Sequence, residues 1–369
     1  MKKLLLITTM ALATLYGNAQ ESKPLFNNIK LSGFGMAQYT YNGQKNEESN
    51  TFNIRMLRLI LDGKFQNDFY WKAQIQFNGN TSTLGNSPRI VDLFTEWQKY
   101  DFFKVKIGQF KRPFTFENPL APIEEGFMSY SQAITKLSGF NDRNGEQASN
   151  GRDIGLQVQG DFLKNGEGRY LLHYQIGVFN GQGINTKDVD QRKDIIGGIW
   201  VMPVNGMRIG AFGWEGSVAR KGTWIDENNQ SQTGVRSLPK YRYAISGEYI
   251  TNDWTFRSEY VHSTGKAFKT VINNSEDYSK CDLNTTTGDK ADGFYGMVMA
   301  PIVSKKLYAK VRYDMYRPSA TWATSNTQYE AGVNYMINKN LQIDLEYARV
   351  NDRAKSDYNI IDAQVDFKF

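Results

Sequence analysis

The ten residues that close the chain, Ile360 to Phe369, read I-I-D-A-Q-V-D-F-K-F. From Ile361 onward, Ile361, Ala363, Val365, Phe367 and Phe369 share one face, while Asp362, Gln364, Asp366 and Lys368 share the other. Strict period two of this kind marks a β-strand with one apolar and one polar face. The pattern recurs upstream. It puts Phe69, Trp71, Ala73, Ile75 and Phe77 on one face of a strand, and Leu307, Ala309, Val311, Tyr313 and Met315 on one face of another. In Y-E-A-G-V-N-Y-M-I the apolar set is Tyr329, Ala331, Val333, Tyr335 and Ile337. Taken along the whole chain, the patterning predicts sixteen strands, at 29–41, 51–66, 69–78, 89–98, 103–109, 152–162, 168–179, 193–202, 206–218, 240–250, 253–263, 292–302, 305–315, 326–337, 340–349 and 358–369.

The connections alternate in length. Short ones of turn composition fall at Asn67-Asp68, Lys99 to Phe102, Leu163 to Glu167, Pro203 to Asn205, Thr251-Asn252, Val303-Ser304 and Asn338-Lys339. Between them lie polar loops, the longest at 110–151, 219–239 and 264–291. A sandwich gives no reason for such alternation, whereas up-and-down barrels of the outer membrane have short periplasmic turns and longer external loops. Strands of about ten residues are long enough to cross a bilayer at the usual tilt. Closing the sheet satisfies every backbone donor and acceptor, as hydrocarbon requires. Sixteen strands leave an aqueous channel where eight would be filled by side chains.

The ends and the composition fit this picture. Lys2 and Lys3 precede an apolar stretch, Leu4 to Tyr16, and Gly17-Asn18-Ala19 supplies small residues for cleavage after Ala19. The stretch is too short to span a membrane as a helix and has the layout of a signal peptide. The expectation is a leader over 1–19 and a single barrel domain over 20–369, located in the bacterial outer membrane. Loss of the two lysines lowers the formal charge from +6 to +4. That charge is scattered, unlike the basic blocks of nucleic-acid binders. Aromatics at 14 %, with 21 Tyr, suit girdles at two membrane interfaces. Cys281 is the only cysteine, so no intramolecular disulfide forms, and its polar surroundings read as a surface loop.

The segment 110–151 is too long for a plain hairpin loop. Its run F-K-R-P-F-T-F-E-N-P-L-A-P carries apolar residues that need a surface to bury against. The reading favoured is a loop folded into the barrel; the alternative is an external cap. The expected fold is therefore all-β, a 16-stranded antiparallel transmembrane barrel with its long third external loop in the lumen.

Three motifs resemble the phosphate-selective porin O and P family: Phe52 to Leu59 (F-N-I-R-M-L-R-L), Lys106 to Phe114 (K-I-G-Q-F-K-R-P-F) with Glu117 soon after, and Gly151 to Gly155 (G-R-D-I-G). The resemblance implies an outer-membrane porin, commonly trimeric, with an inward third loop and basic residues guiding anions. Two features depart from it. Met56 stands where a basic or small residue is expected, and the long loop sets Lys111, Arg112, Lys136 and Arg143 against Glu117, Glu124, Glu125, Asp142 and Glu146.

Strand parity places Arg55, Arg58, Lys64, Lys72, Lys104 and Lys106 on the lumen side of the second to fifth strands, with Asp62, Asp92 and Glu96. The last three strands carry Glu330, Asp344, Glu346, Asp362 and Asp366 against Lys368. A basic wall facing an acidic arc would orient dipolar solutes. The anion pathway expected from this layout comprises Arg55, Arg58, Lys72, Lys104 and Lys106 on the wall, with Lys111, Arg112 and Arg143 on or beside the inserted loop. Its expected partners are small anions such as phosphate, outer-membrane lipid and two further copies of the chain. A non-selective porin and a surface-binding barrel with a plugged lumen remain the alternatives. Nothing points to an enzyme or a cofactor: the two histidines are His173 and His262, and neither a zinc cluster nor a nucleotide-binding loop is present. His262-Ser263 lacks a nucleophile elbow and a third partner.

Overall fold

The computed structural model describes residues 26–65, 68–78, 88–270 and 280–369. The leader read over 1–19 lies outside the described residues. The strands are β1 (Phe26–Asn42), β2 (Ser49–Phe65), β3 (Phe69–Asn78), β4 (Arg89–Tyr100), β5 (Phe103–Lys111), β6 (Arg152–Lys164), β7 (Tyr170–Phe179) and β8 (Asp194–Val201). They continue as β9 (Met207–Ile225), β10 (Ser231–Thr251), β11 (Trp254–Thr264), β12 (Lys290–Val303), β13 (Leu307–Arg317), β14 (Asn326–Asn338), β15 (Leu341–Asp352) and β16 (Tyr358–Lys368). Each pairs antiparallel with its neighbours in sequence, and β1 pairs with β16, so the sheet is a closed sixteen-stranded barrel.

The terminal strand makes the seam. Gly33 N–H donates to Phe369 O at 2.9 Å, and Phe369 N–H donates back to Gly33 O at 3.0 Å. The register continues from Phe34 opposite Lys368 to Asn42 opposite Ile360. Gly33 and Gly35 have no side chains because the rings of Phe369 and Phe367 lie across them. A Cβ on Gly35 would sit 2.2 Å from the Phe367 ring.

Burial is inverted relative to a water-soluble protein. On β13, Lys310, Arg312 and Asp314 are buried, while Val311 between them is 55 % exposed. On β16, Gln364 and Asp366 are buried while Phe367 is exposed. An apolar outside and a charged inside is the arrangement lipid demands. Aromatic rings cluster beside the short turns, among them Trp97, Tyr100, Phe102, Phe103, Phe162 and Tyr174, in mutual contact. Amphipathic rings favour that interfacial level.

Two sequence expectations change. The region 219–239 is not a loop. β9 and β10 extend through it as a hairpin, paired from Tyr249–Met207 up to Ser231–Ile225. The turn is held by Asp226, whose carboxylate accepts from the N–H groups of Asn228 and Gln230 at 2.9 and 2.8 Å. Beyond the membrane neither face meets lipid, so the alternation that betrays the other strands is absent. Cys281 is not at the surface. Its side chain is fully buried against Val218, Leu238 and Phe268, and its N–H donates to Thr223 O at 3.1 Å.

Candidate functional site

The segment between β5 and β6 is anchored along its whole length to the polar face of the barrel. It contains one short helix, α1 (Gln132–Leu137), whose Ser131 cap accepts from Ile134 N–H. Glu259 of β11 accepts from the backbone of Phe116 and Glu117, at 3.2 and 2.7 Å. Asp314 of β13 accepts from Gln132 N–H at 2.8 Å, and Glu346 of β15 from Met128 N–H at 2.9 Å. Lys310 and Arg312 donate to the carbonyls of Gly126 and Ser129 at 2.9 and 2.8 Å. Phe114, Phe116, Phe127, Ile134 and Leu137 pack with Phe212, Trp214, Tyr295 and Met297 into one apolar cluster. The Phe and Pro run thus buries against inward aromatics of β9 and β12.

Buried charge ties the segment down. Arg112, fully buried, bonds Glu146 at 2.6 Å and Asp153 at 2.8 Å and lies 4.7 Å from the Trp214 ring centre. Burial works against its charge, and the two carboxylates outweigh that, raising its pKa. Arg242 grips Asp142 at 2.7 and 2.6 Å. Glu117 accepts from Ser131 N–H and Oγ at 2.7 and 2.6 Å. Burial, with Glu117 nearby, pushes the Glu125 carboxyl well above the usual range.

The eight basic residues expected on an anion pathway divide into two sets. Lys111, Arg112 and Arg143 are ties of the loop. Lys111 Nζ donates to the carbonyls of Asn118 and Leu120 at 2.5 and 2.7 Å and to the Tyr130 hydroxyl at 3.0 Å. Arg143 donates to the carbonyls of Gly265 and Gly288 at 2.7 and 2.5 Å. The other five stand on the wall. Lys72 pairs with Asp92 at 3.2 Å, Lys104 with Asp161 at 3.1 Å, and Lys106 with Glu96 at 3.6 Å. Arg55 donates to Gln364 at 3.1 Å. Arg58 donates through Nε to Gln76 at 3.0 Å, and its Nη2 has no hydrogen-bond partner among the described residues.

Arg58, Lys72 and Lys106 border a chamber of about 380 Å³ between the wall and residues 110–121 of the loop. Arg152 and Arg208 join them there, and sequence reading did not place either in the pathway. Arg152 holds Asp92 with two bonds, at 2.6 and 3.2 Å. Arg208 bonds Glu248 at 2.8 Å and lies 4.1 Å from the Phe116 ring centre. Among the described residues, Asp92 is the single carboxylate lining this chamber. A second cavity, of about 230 Å³, adjoins Arg55, Gln76 and Tyr130.

The acidic arc is largely neutralised from β13. Lys310 bonds Asp344 and Glu346, both at 2.6 Å, and Arg312 pairs with Glu330. Asp362 and Asp366 instead accept from the amides of Gln38 at 3.1 Å and Gln342 at 2.8 Å. His262 and Ser263, as strand neighbours, face opposite ways: His262 stacks on Tyr243, while buried Ser263 accepts from Arg242 at 3.1 Å. No group of three or more His, Cys, Asp and Glu suited to a metal occurs among the described residues.

Residues 32–183 match the sequence model of the phosphate-selective porin O and P family. No curated protein matches the chain significantly. Many solved structures share the fold. OmpF of Salmonella typhi, in complex with daunomycin, superposes with a TM-score of 0.64 at 11 % identity, covering 95 % of this chain and 100 % of that one. An anion-selective porin from Comamonas acidovorans gives 0.61 at 13 %, over 93 % and 99 %. The trimer form of OmpT from Vibrio cholerae gives 0.57 at 12 %, over 93 % and 99 %. All three quoted motifs lie within the matched segment, which spans the first seven strands. The first seven strands of the chain are thus similar to the phosphate-selective porin O and P family over residues 32–183, and the chain closes as a sixteen-stranded barrel of the bacterial outer membrane.

Proposed function

We propose that the protein passes small hydrophilic solutes by diffusion, prefers anions, and accepts phosphate among them. The observation that carries this reading is the chamber beside β2 to β9. Arg58, Lys72, Lys106, Arg152 and Arg208 border it, with Asp92 as its one carboxylate. A confined positive field concentrates anions and repels cations. The buried Arg58 guanidinium, with Nη2 unmatched, adds positive potential at the chamber edge, and release stays easy because the remaining cations are partly neutralised. The segment 112–151 acts as an inward-folded constriction, since side chains of β10, β11, β13 and β15 all reach it. A homotrimer is part of this proposal, supported by the trimeric form among the similar structures.

The test is the reversal potential of single channels in a potassium chloride gradient. Displacement toward the chloride equilibrium potential is expected, and displacement toward that of potassium overturns the preference. Competition of phosphate with chloride current tests phosphate itself. A second reading draws on the aromatic packing of the loop across β9, β11 and β12. It makes the lumen a plug and the β9–β10 hairpin a contact for an external partner. Ohmic current steps exclude it, and their absence in correctly folded protein favours it.

A further inference from the structure

We propose that the chamber beside β2 to β9 favours anionic carbohydrates of monosaccharide size, meaning a hydroxylated ring that bears a carboxylate or phosphate. The inference rests on the reading of this chamber as the solute path and names the class of solute.

Positive charge alone would serve an inorganic anion, which presents almost entirely acceptor surface. The chamber holds two further kinds of group that such an ion does not use. The first is a set of amides. Gln74 on β3, Gln157 and Gln159 on β6 and Gln175 on β7 all line it. Gln157 donates to Gln159 at 2.6 Å and reaches Gln175 at 3.5 Å, and Gln159 donates onward to Glu96. An amide side chain offers donor and acceptor in one plane. Its oxygen repels an anion but accepts from a hydroxyl, and its NH₂ donates to the next hydroxyl. Four such groups on one lining match a ring whose every substituent both donates and accepts.

The second kind is aromatic. Phe94, Phe116 and Trp200 border the same space. Trp200 stacks on His173, with centroids 4.0 Å apart and planes 19° from parallel, and Phe116 meets it edge-on at 5.5 Å. The indole is thereby held fixed while part of it stays accessible. Rings cannot solvate a small ion, so for chloride or phosphate they only raise the barrier. For a sugar they receive the apolar C–H face. Arg58 on β2 and Arg152 at the start of β6 line the same chamber as Trp200 on β8, with Gln157 and Gln159 of β6 and Gln175 of β7 also on its lining. A ring on the indole, hydroxyls on the amides and an acidic group at the arginines use every element present. The volume of about 380 Å³ lies in the range of small-molecule sites, roughly 300–1,000 Å³.

The test is block of chloride current through single channels by four probes: galacturonate, glucose, acetate and inorganic phosphate. Galacturonate combines ring and charge, and each other probe has one without the other. Galacturonate is expected to reduce current at a concentration about tenfold below that of any other probe, a difference of about 1.4 kcal/mol. The variants Trp200→Ala and Gln175→Leu should raise its half-blocking concentration while leaving acetate block unchanged, with heat-modifiable migration as the check on folding. Equal potency of galacturonate and acetate overturns the proposal, because the ring then contributes nothing. Equal potency of galacturonate and glucose also overturns it, because the charge then contributes nothing. Failure of the anion preference itself shows separately, as a reversal potential on the potassium side.

Discussion

Replacing Arg112 with Ala should loosen the loop without opening the barrel. Arg112 is fully buried between Glu146 and Asp153, at 2.6 and 2.8 Å. Removing one partner of a buried ion pair costs about 3–5 kcal/mol, because the other charge stays buried and unmatched. Here the lower end applies. Glu146 keeps Lys240 at 3.2 Å, and Asp153 keeps the N–H groups of Ile154 and Gly181 at 2.8 and 3.0 Å. A loss of about 3 kcal/mol shifts the local open-to-closed equilibrium of the loop by about a hundredfold. The wall does not depend on this pair, since closure runs through backbone bonds from β1 to β16. The variant should therefore fold and migrate as heat-modifiable protein, yet give larger current steps with more open-channel noise. Arg58→Ala is the counterpart. It removes a bond to Gln76 and one charge at the chamber, and no tie of the loop. It should shift the reversal potential toward potassium, most clearly at low salt, where the screening length exceeds about 10 Å, with step size little changed. If Arg112→Ala gives wild-type steps and noise, the loop is not held by this pair. If Arg58→Ala leaves the reversal potential unmoved, ions do not pass the chamber.

The remaining predictions concern pH, the seam and the thiol. The Glu125 carboxyl has a folded pKa well above its ordinary value, through burial and Glu117. Anchoring of the loop is thus strongest at acidic pH and weakens as pH rises from the ordinary carboxylate range toward that raised value. Open-channel noise should grow with pH in the wild type and be flatter in Glu125→Gln; noise that grows on acidification contradicts the assignment. Gly35→Val puts a side chain where the Phe367 ring lies 2.2 Å from a Cβ. Folded protein in the outer membrane should fall, and Phe367→Ala in the same chain should restore part of it. Cys281 is buried beneath the β9–β10 hairpin. An impermeant maleimide should label it only after denaturation, and ready labelling of intact cells would place the loop elsewhere.

The lipid boundary explains what was legible in the sequence. Where a strand meets hydrocarbon on one face and water on the other, polarity alternates. β3, β13, β14 and β16 declare themselves in this way, and strands were placed to within a few residues except at the β9–β10 tip. That hairpin has no lipid face above residue 218, so R-K-G-T-W-I and S-Q-T-G-V-R read as loop. The same reasoning explains Arg208. In M-R-I-G-A-F-G-W the set Arg208, Gly210, Phe212 and Trp214 shares one face, and Phe212 and Trp214 on it pack against the apolar residues of the loop. With rings on the inward face, this part of β9 shows no clean polar stripe, and Arg208 is lost among them. Cys281 was misplaced for a related reason, since what covers it comes from Val218 and Leu238, distant in sequence.

Parity states which way a charge points, and only the fold states what meets it. Counting charges on the last three strands makes an acidic arc of Glu330, Asp344, Glu346, Asp362 and Asp366. Yet Lys310 and Arg312 of β13 form ion pairs with three of the five, Arg312 directly opposite Glu330 and Lys310 reaching over β14 to Asp344 and Glu346. Those same two cations also hold the loop at Gly126 and Ser129, so the arc acts through them as an anchor of the loop. On the opposite wall the ratio is reversed. Asp92 answers both Lys72 and Arg152, and Arg58 Nη2 meets no acceptor among the described residues. On the proposed solute path the positive field therefore comes from the unmatched remainder on that wall. A selectivity experiment that replaced the whole acidic arc would chiefly unseat the loop through Lys310 and Arg312, and its readout would be step size before ion preference.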